Sequence, residues 1–359
     1  MNSLVEAFVR RKAISGFSAR NLPCGRVNIL IILPLLSLLT TGNLPAQDSG
    51  RLRVVTTTTL IADVARNIGG DRVDVTALVP PNSDVHAFTA TPEDAVLLTE
   101  ADVMLVNGAG LEGFLIGLVE NVTTVELTVV SQGIEMQPFG FVADAVPDNE
   151  DEHDTLGRLG FEIDCLLDQA GEREDEHDHG HGVCDPHVWT NPHNVMIWAE
   201  NIAAAFSLAD PANASMYQAN AAVYIEQLES LDAEIVEILS SIPSDRRVLV
   251  TNHDFLGYFA AAYHFEIAAT VLSSGSTLSE PDPAQLADVI TLIQEEAIPV
   301  VFAEISASDR LAAMVASETG IQVVTTLYSS ALSDSDGPAA TYLDYLRYNA
   351  TVIAEALAA

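Results

Sequence analysis

A chain of 359 residues is long enough for two medium domains with sizeable buried cores. Apolar residues at 48% and charged residues at 18% exclude a disordered chain. With 51 acidic residues against 15 basic ones, nucleic acid and anionic membrane surfaces are excluded as partners, because their phosphates would be repelled.

Residues 1–46 read as an export signal. Arg10, Arg11, Lys12, Arg20 and Arg26 precede the apolar run Ile29–Leu39, and Leu44-Pro45-Ala46 offers a cleavage site. The run is shorter than the roughly 20 apolar residues needed to cross a bilayer, which disfavours the alternative of a retained anchor. Cys24 lies before that run, where a lipidated cysteine would lie after it. Cleavage there leaves ten basic residues, all Arg, against fifty acids. Such a surface attracts metal cations, although adaptation to salt accounts for the bulk of the charge equally well. The remaining cysteines, Cys165 and Cys184, are an even pair in an exported chain, which predicts a disulfide. Two thiolate metal ligands are the alternative.

From Leu52 the pattern alternates. Arg53–Thr57 is a β-rich run, Leu60–Ile68 has helical spacing, and Val73–Val79 is a second strand. Thr91-Pro92-Glu93-Asp94 starts a capped helix running to Glu100, and Val103–Val106 is a third strand. Residues 141–184 are acidic, contain histidine and lack apolar periodicity, so they read as a surface loop. Asp210-Pro211 opens a long helix whose apolar stripe is Tyr217, Tyr224, Leu228, Leu231, Ile235 and Ile238, ending near Ile242-Pro243. Strands return at Val248–Thr251, Ile267–Val271, Val300–Glu304 and Ile321–Thr325. The expected class is α/β, with parallel sheets flanked by helices in two lobes. The expected boundaries are an N-terminal lobe over 47–209, a linking helix over 210–243 and a C-terminal lobe over 244–359.

Three histidines stand out by placement: His86 after the second strand, His187 in Asp185-Pro-His-Val-Trp189, and His253 directly after Val248–Thr251. Ligands of open parallel sheets bind outside the carboxyl ends of the strands, so these imidazoles are candidates for one cleft. Neutral imidazole suits Zn²⁺, but by spacing alone each residue reads more readily as a solvated or hydrogen-bonded loop histidine than as a ligand. His177, His179 and His181 lie among carboxylates and offer a second, weaker zinc site on the loop. Glu304 ends a strand and is a candidate to orient a ligand imidazole, with Asn252 and Asp254 as rivals. His264 follows Tyr263 inside a helical pattern and reads as structural.

Longer stretches carry a resemblance. Leu60-Ile-Ala-Asp63, Val106-Asn-Gly-Ala-Gly-Leu-Glu112, Asp185-Pro-His-Val-Trp189, His253-Asp-Phe-Leu-Gly-Tyr-Phe259, Val301-Phe-Ala-Glu304 and Thr341-Tyr-Leu-Asp344 resemble, in order, the substrate-binding proteins of zinc and manganese ABC importers. The resemblance implies a metal held between two lobes joined by a rigid helix, with His86, His187 and His253 among its ligands. It also implies an ABC importer permease as partner, an extracytoplasmic location and a monomer. Where such proteins often carry a ligand aspartate, this chain has Ser330 in Leu327-Tyr-Ser-Ser330. A serine hydroxyl stays protonated near neutral pH, so water, Asp334 or a loop residue is left to complete the shell. Three imidazoles without that carboxylate favour Zn²⁺ over Mn²⁺.

A zinc hydrolase is disfavoured, because no His-Glu-x-x-His helix or comparable catalytic motif occurs. A manganese- or iron-binding importer component, a metal-dependent surface adhesin and a metal buffer remain as alternatives.

Overall fold

The computed structural model describes residues 50–115, 118, 125–138, 184–272, 277–278, 283–306, 308 and 310–358. Residues 1–46, read above as an export signal, together with Cys165 and the loop histidines His177, His179 and His181, lie outside the described residues, and Asp48–Ala359 forms one compact unit. Among the described residues no helix is long and apolar enough to cross a membrane.

Two four-stranded sheets, all of whose pairings are parallel, organise this unit. The first contains β1 (Leu52–Thr56), β2 (Val73–Ala77), β3 (Val103–Val106) and β4 (Glu126–Val129), in the order β2-β1-β3-β4. The second contains β5 (Val248–Thr251), β6 (Glu266–Thr270), β7 (Val300–Glu304) and β8 (Gln322–Leu327), in the order β6-β5-β7-β8. The helices are α1 (Thr59–Gly69), α2 (Pro92–Glu100), α3 (Pro192–Ala209), α4 (Ala214–Leu239), α5 (Gly257–Tyr263), α6 (Pro283–Glu295), α7 (Arg310–Thr319) and α8 (Tyr342–Ala358).

Local chemistry sets the boundaries. Thr58 caps α1 by accepting a hydrogen bond from the Ile61 amide. Thr91 and Asp94 close a reciprocal capping box on α2, with Pro92 in the first turn, where a missing N–H costs nothing. The long helix α4 is shorter than the expected 210–243, because residues Pro211–Asn213 form a separate 3₁₀ turn before it. Its 26 residues extend about 39 Å. Tyr217, Ala221, Tyr224, Leu228, Leu231, Ile235 and Leu239 form its buried stripe, which packs against α1, α3 and α8. Arg347 of α8 forks onto Glu234 of α4 at 2.8 and 2.9 Å, tying the last helix to the linking one.

One apolar core runs through both lobes. It takes in Val54 of β1, Trp198 and Phe206 of α3, Tyr224 of α4, Phe302 of β7 and Tyr345 of α8. Separate clusters fill the other face of each sheet, around Met104 and Leu98 in the first and around Val301 and Ile293 in the second. His264 is not inside a helix: it sits just past α5 in the left-handed region at φ 59°, and its amide caps the Ala260 carbonyl.

Candidate metal centre

Sheet order explains why the site lies where it does. In the second sheet β5 lies between β6 and β7, so the connections leaving the carboxyl ends of β5 and β7 diverge to opposite sides and leave a crevice. His253 follows β5 by two residues, and Glu304 is the last residue of β7. The Asn252 amide donates to the Phe302 carbonyl at 2.9 Å, which holds the two strand ends together. In the first sheet β2 ends at Ala77, but Leu78 and Val79 still donate to Thr56 and Thr57, so the chain leaves toward His86 along a fixed path. His187 is not at a strand end. It directly precedes the 3₁₀ turn Val188–Thr190, which leads into α3.

These three histidines, far apart in sequence, converge. Each offers a ring nitrogen, and the three atoms all lie within 4.8 Å of one another. Their ring centroids stand 5.3, 5.6 and 5.7 Å apart, close to an equilateral triangle. The Nε2 atoms of His86 and His187 are 3.4 Å apart. His253 Nε2 is buried with no hydrogen-bond partner among the described residues. A buried polar atom left this way is costly unless a ligand meets it.

Two carboxylates stand behind the imidazoles. Asp185 Oδ1 accepts from the His187 amide at 2.9 Å and lies 2.7 Å from its Nδ1. Glu304 Oε1 touches His253 Nδ1, and the same carboxylate accepts from Asn252 Nδ2 at 3.0 Å and from the Ser329 hydroxyl. Both contacts leave the Nε2 atoms facing inward, the usual geometry behind a metal-binding histidine. Among the described residues no carboxylate is bonded to the His86 ring, but its amide donates to Asp84 Oδ1 at 2.9 Å, the same Asp-x-His turn found at Asp185-Pro-His187.

Burial, and then the neighbouring His187 and His253, push the His86 ring down to about 3. Burial likewise holds His187 well below the ordinary histidine value, and it pushes the Asp185 carboxyl up to about 7. At His253 burial also pulls the ring down, but Glu304, Asp84 and Asp254 together outweigh it and raise the ring. Burial would raise Glu304, yet His253, Ser329 and Asn252 together bring it down to about 2.

The remaining sequence candidates separate from this cluster. Asp334 is exposed and accepts from Asn82 Nδ2 at 2.8 Å, because Ser333 to Gly337 turns it outward to the surface. Ser330 is buried, and its hydroxyl faces the Val85 amide at 3.4 Å, next to His86. Of the three groups weighed for orienting an imidazole, Glu304 lies against the His253 ring and Asn252 supports Glu304. Cys184 is buried and bridges to Pro138. Sequence reasoning assigned no role to Asp185 or Ser329. The repeated Asp-x-His spacing signals the first, whereas nothing local signals the second.

The family of "Zinc-uptake complex component A periplasmic" (ZnuA) matches residues 54–356. The iron-binding protein YfeA of Yersinia pestis is 33% identical over 331 residues, covering 91% of this chain and 94% of its own. The manganese ABC transporter substrate-binding lipoprotein PsaA of Streptococcus anginosus is 27% identical over 338 residues, covering 92% and 97%. The periplasmic zinc-binding protein TroA of Treponema pallidum superposes with a TM-score of 0.69 at 26% identity, covering 86% of this chain and 99% of that one. Two parallel α/β lobes joined by a long helix, with a cluster of imidazoles at their crevice, belong to an extracytoplasmic, metal-binding substrate-binding component of an ABC importer. It is a transport component, working with a permease and an ATPase, and not an enzyme. Within that class the chain is a member of the ZnuA family.

Proposed function

We propose that this protein captures Zn²⁺ outside the cytoplasm through His86, His187 and His253 and delivers it to the importer permease. The carrying observation is the convergence of three ring nitrogens within 4.8 Å, two of them backed by carboxylates. Two nitrogens each about 2.0–2.1 Å from a tetrahedral Zn²⁺ stand about 3.3–3.4 Å apart, which the 3.4 Å between His86 and His187 matches. An all-imidazole set with Ser330 in the neighbouring position favours zinc, because the harder Mn²⁺ prefers carboxylate oxygen. Water completes the shell, since Asp334 faces solvent. Glu304 and Asp185 orient the rings of His253 and His187.

Several companions of this reading rest on the sequence: export by residues 1–46, action as a monomer, a disulfide between Cys165 and Cys184, and a weaker gathering site at His177, His179 and His181. A second reading, manganese or iron as the cargo, is favoured by the names of PsaA and YfeA. Native mass spectrometry after challenge with equal Zn²⁺ and Mn²⁺ separates them. One zinc per chain is expected, lost in His253→Ala, whereas retained manganese overturns the assignment. Deletion of residues 172–182 is expected to keep the tight zinc and remove only weaker binding.

A further inference from the structure

Asp185, behind His187, is itself seated by the other lobe. Tyr258, the second residue of α5, donates its hydroxyl to the Asp185 carbonyl at 3.1 Å and accepts from the Gln137 amide at 3.0 Å. The residue before it, Gly257, begins α5. A Cβ built on Gly257 would lie 2.6 Å from Asp185 Oδ2 and 3.8 Å from its Cγ. Real Cβ atoms essentially never approach that closely, and the atom they would meet is no flexible chain end: Asp185 is 1% exposed, and its other oxygen is held by two nitrogens of His187.

Gly257 does not have a positive φ, so its backbone conformation does not call for glycine. In a helix glycine costs about 0.5–1 kcal/mol relative to alanine. What the position requires is empty space, and that space is filled by a carboxylate.

We infer that Gly257 is a positioning residue for metal binding: its missing side chain lets Asp185 lie where it orients His187, so the C-terminal lobe sets the aim of a ligand carried by the other half of the chain. The chain of contacts runs from Gly257 to Asp185 Oδ2, through the carboxyl to Oδ1, and on to His187 Nδ1, leaving Nε2 toward the cluster. Separating the lobes removes Gly257 and Tyr258 from Asp185 together, which ties the ring's orientation to closure. The inference rests on the assignment of His187 as a ligand.

Zinc titration of the full chain tests it. Gly257→Ala is expected to lower zinc affinity about 10-fold, the size of effect that partners behind a metal-binding histidine carry. Nitrogen-15 resonances of the His187 ring are expected to leave their Nδ1-protonated positions in the same variant. In an Asp185→Ala background the added methyl meets no carboxylate, so Gly257→Ala is expected to cost nothing further. Tyr258→Phe adds no atoms and decides the matter where the added methyl prevents folding; it is expected to weaken zinc in the same direction. Unchanged affinity in both Gly257→Ala and Tyr258→Phe overturns the inference, as does an undiminished effect of Gly257→Ala without Asp185. His187→Ala separates the two levels. Undiminished affinity there overturns the ligand assignment, whereas loss there with a silent Gly257→Ala overturns only the role of Gly257.

Discussion

Asp185–His187 and Glu304–His253 present the same chemistry to the crevice from opposite sides, a carboxylate behind an imidazole, yet their carboxyls are shifted in opposite directions. Asp185 receives its close hydrogen bonds from His187 itself, and burial leaves it up at about 7 beside a ring held well below the ordinary value. Glu304 collects Asn252 and Ser329 in addition to His253, and these donors bring it down to about 2 while His253 is raised. Ser329 is fixed in turn, its carbonyl accepting from Trp189 Nε1 at 2.8 Å and from the Tyr345 hydroxyl at 2.9 Å. Burial pushes a carboxyl toward its neutral form, and at Glu304 the direct charge pairing with His253, joined by Ser329 and Asn252, offsets that, although both pairs are equally deep.

Removing the carboxylates one at a time breaks the comparison most sharply. Glu304→Gln is expected to lower zinc affinity about 100-fold and Asp185→Asn about 10-fold, read by competition titration. In the metal-free protein Glu304→Gln is also expected to cost about 3 kcal/mol of stability, because it removes one partner of a buried ion pair. Asp185→Asn is expected to cost less than about 1.5 kcal/mol, the scale of a neutral hydrogen bond. Equal losses in the two variants would erase the distinction between the pairs.

Glu112 provides a control away from the metal. It is buried with no imidazole partner among the described residues, accepting from the Asn107 amide at 2.6 Å, the Gly108 amide at 2.9 Å and the Thr57 hydroxyl at 3.0 Å. Burial outweighs these bonds and raises the carboxyl from 4.5 to about 7. The folded state therefore binds this proton more tightly than the unfolded state. The stability this contributes is fully present below pH 4.5 and is lost as pH rises through about 7. Glu112→Gln is expected to flatten that segment of the stability profile, by at most about 3 kcal/mol, in denaturant titrations across the same range.

At the surface the same pairing is worth little. Arg347 and Glu234 make a forked contact between α8 and α4, but both are more than a third exposed. Arg347→Ala is expected to change stability by no more than about 1 kcal/mol, and by less in high salt.

The fold was largely legible because several strands here are short runs rich in β-branched residues, such as Val248–Thr251, and because α4 carries one apolar stripe through seven turns. Val103–Val106, Val248–Thr251 and Val300–Glu304 match their sequence limits. The strand Glu126–Val129 was not anticipated, since Glu126-Leu-Thr-Val129 is short and only half-buried at the sheet edge. The helix Pro192–Ala209 was also missed, because it is apolar on most faces and shows little period. The three histidines were legible as candidates, His86 and His253 from their placement after strands and His187 from its family-like motif. Asp334 was one of three options for completing the shell, and its exposed position was not legible, because sequence proximity to Ser330 says nothing about which way the turn after it points. Asp185 and Gly257 were invisible as a pair, since 72 residues separate them and an absent side chain leaves no chemical mark in a sequence.

X-ray absorption at the zinc edge of the metal-loaded protein tests the three-imidazole site most directly. A first shell of three nitrogens and one oxygen near 2.0–2.1 Å, with the outer-shell scattering of three imidazole rings, is expected. A shell dominated by carboxylate oxygen, or one containing sulfur, would contradict it.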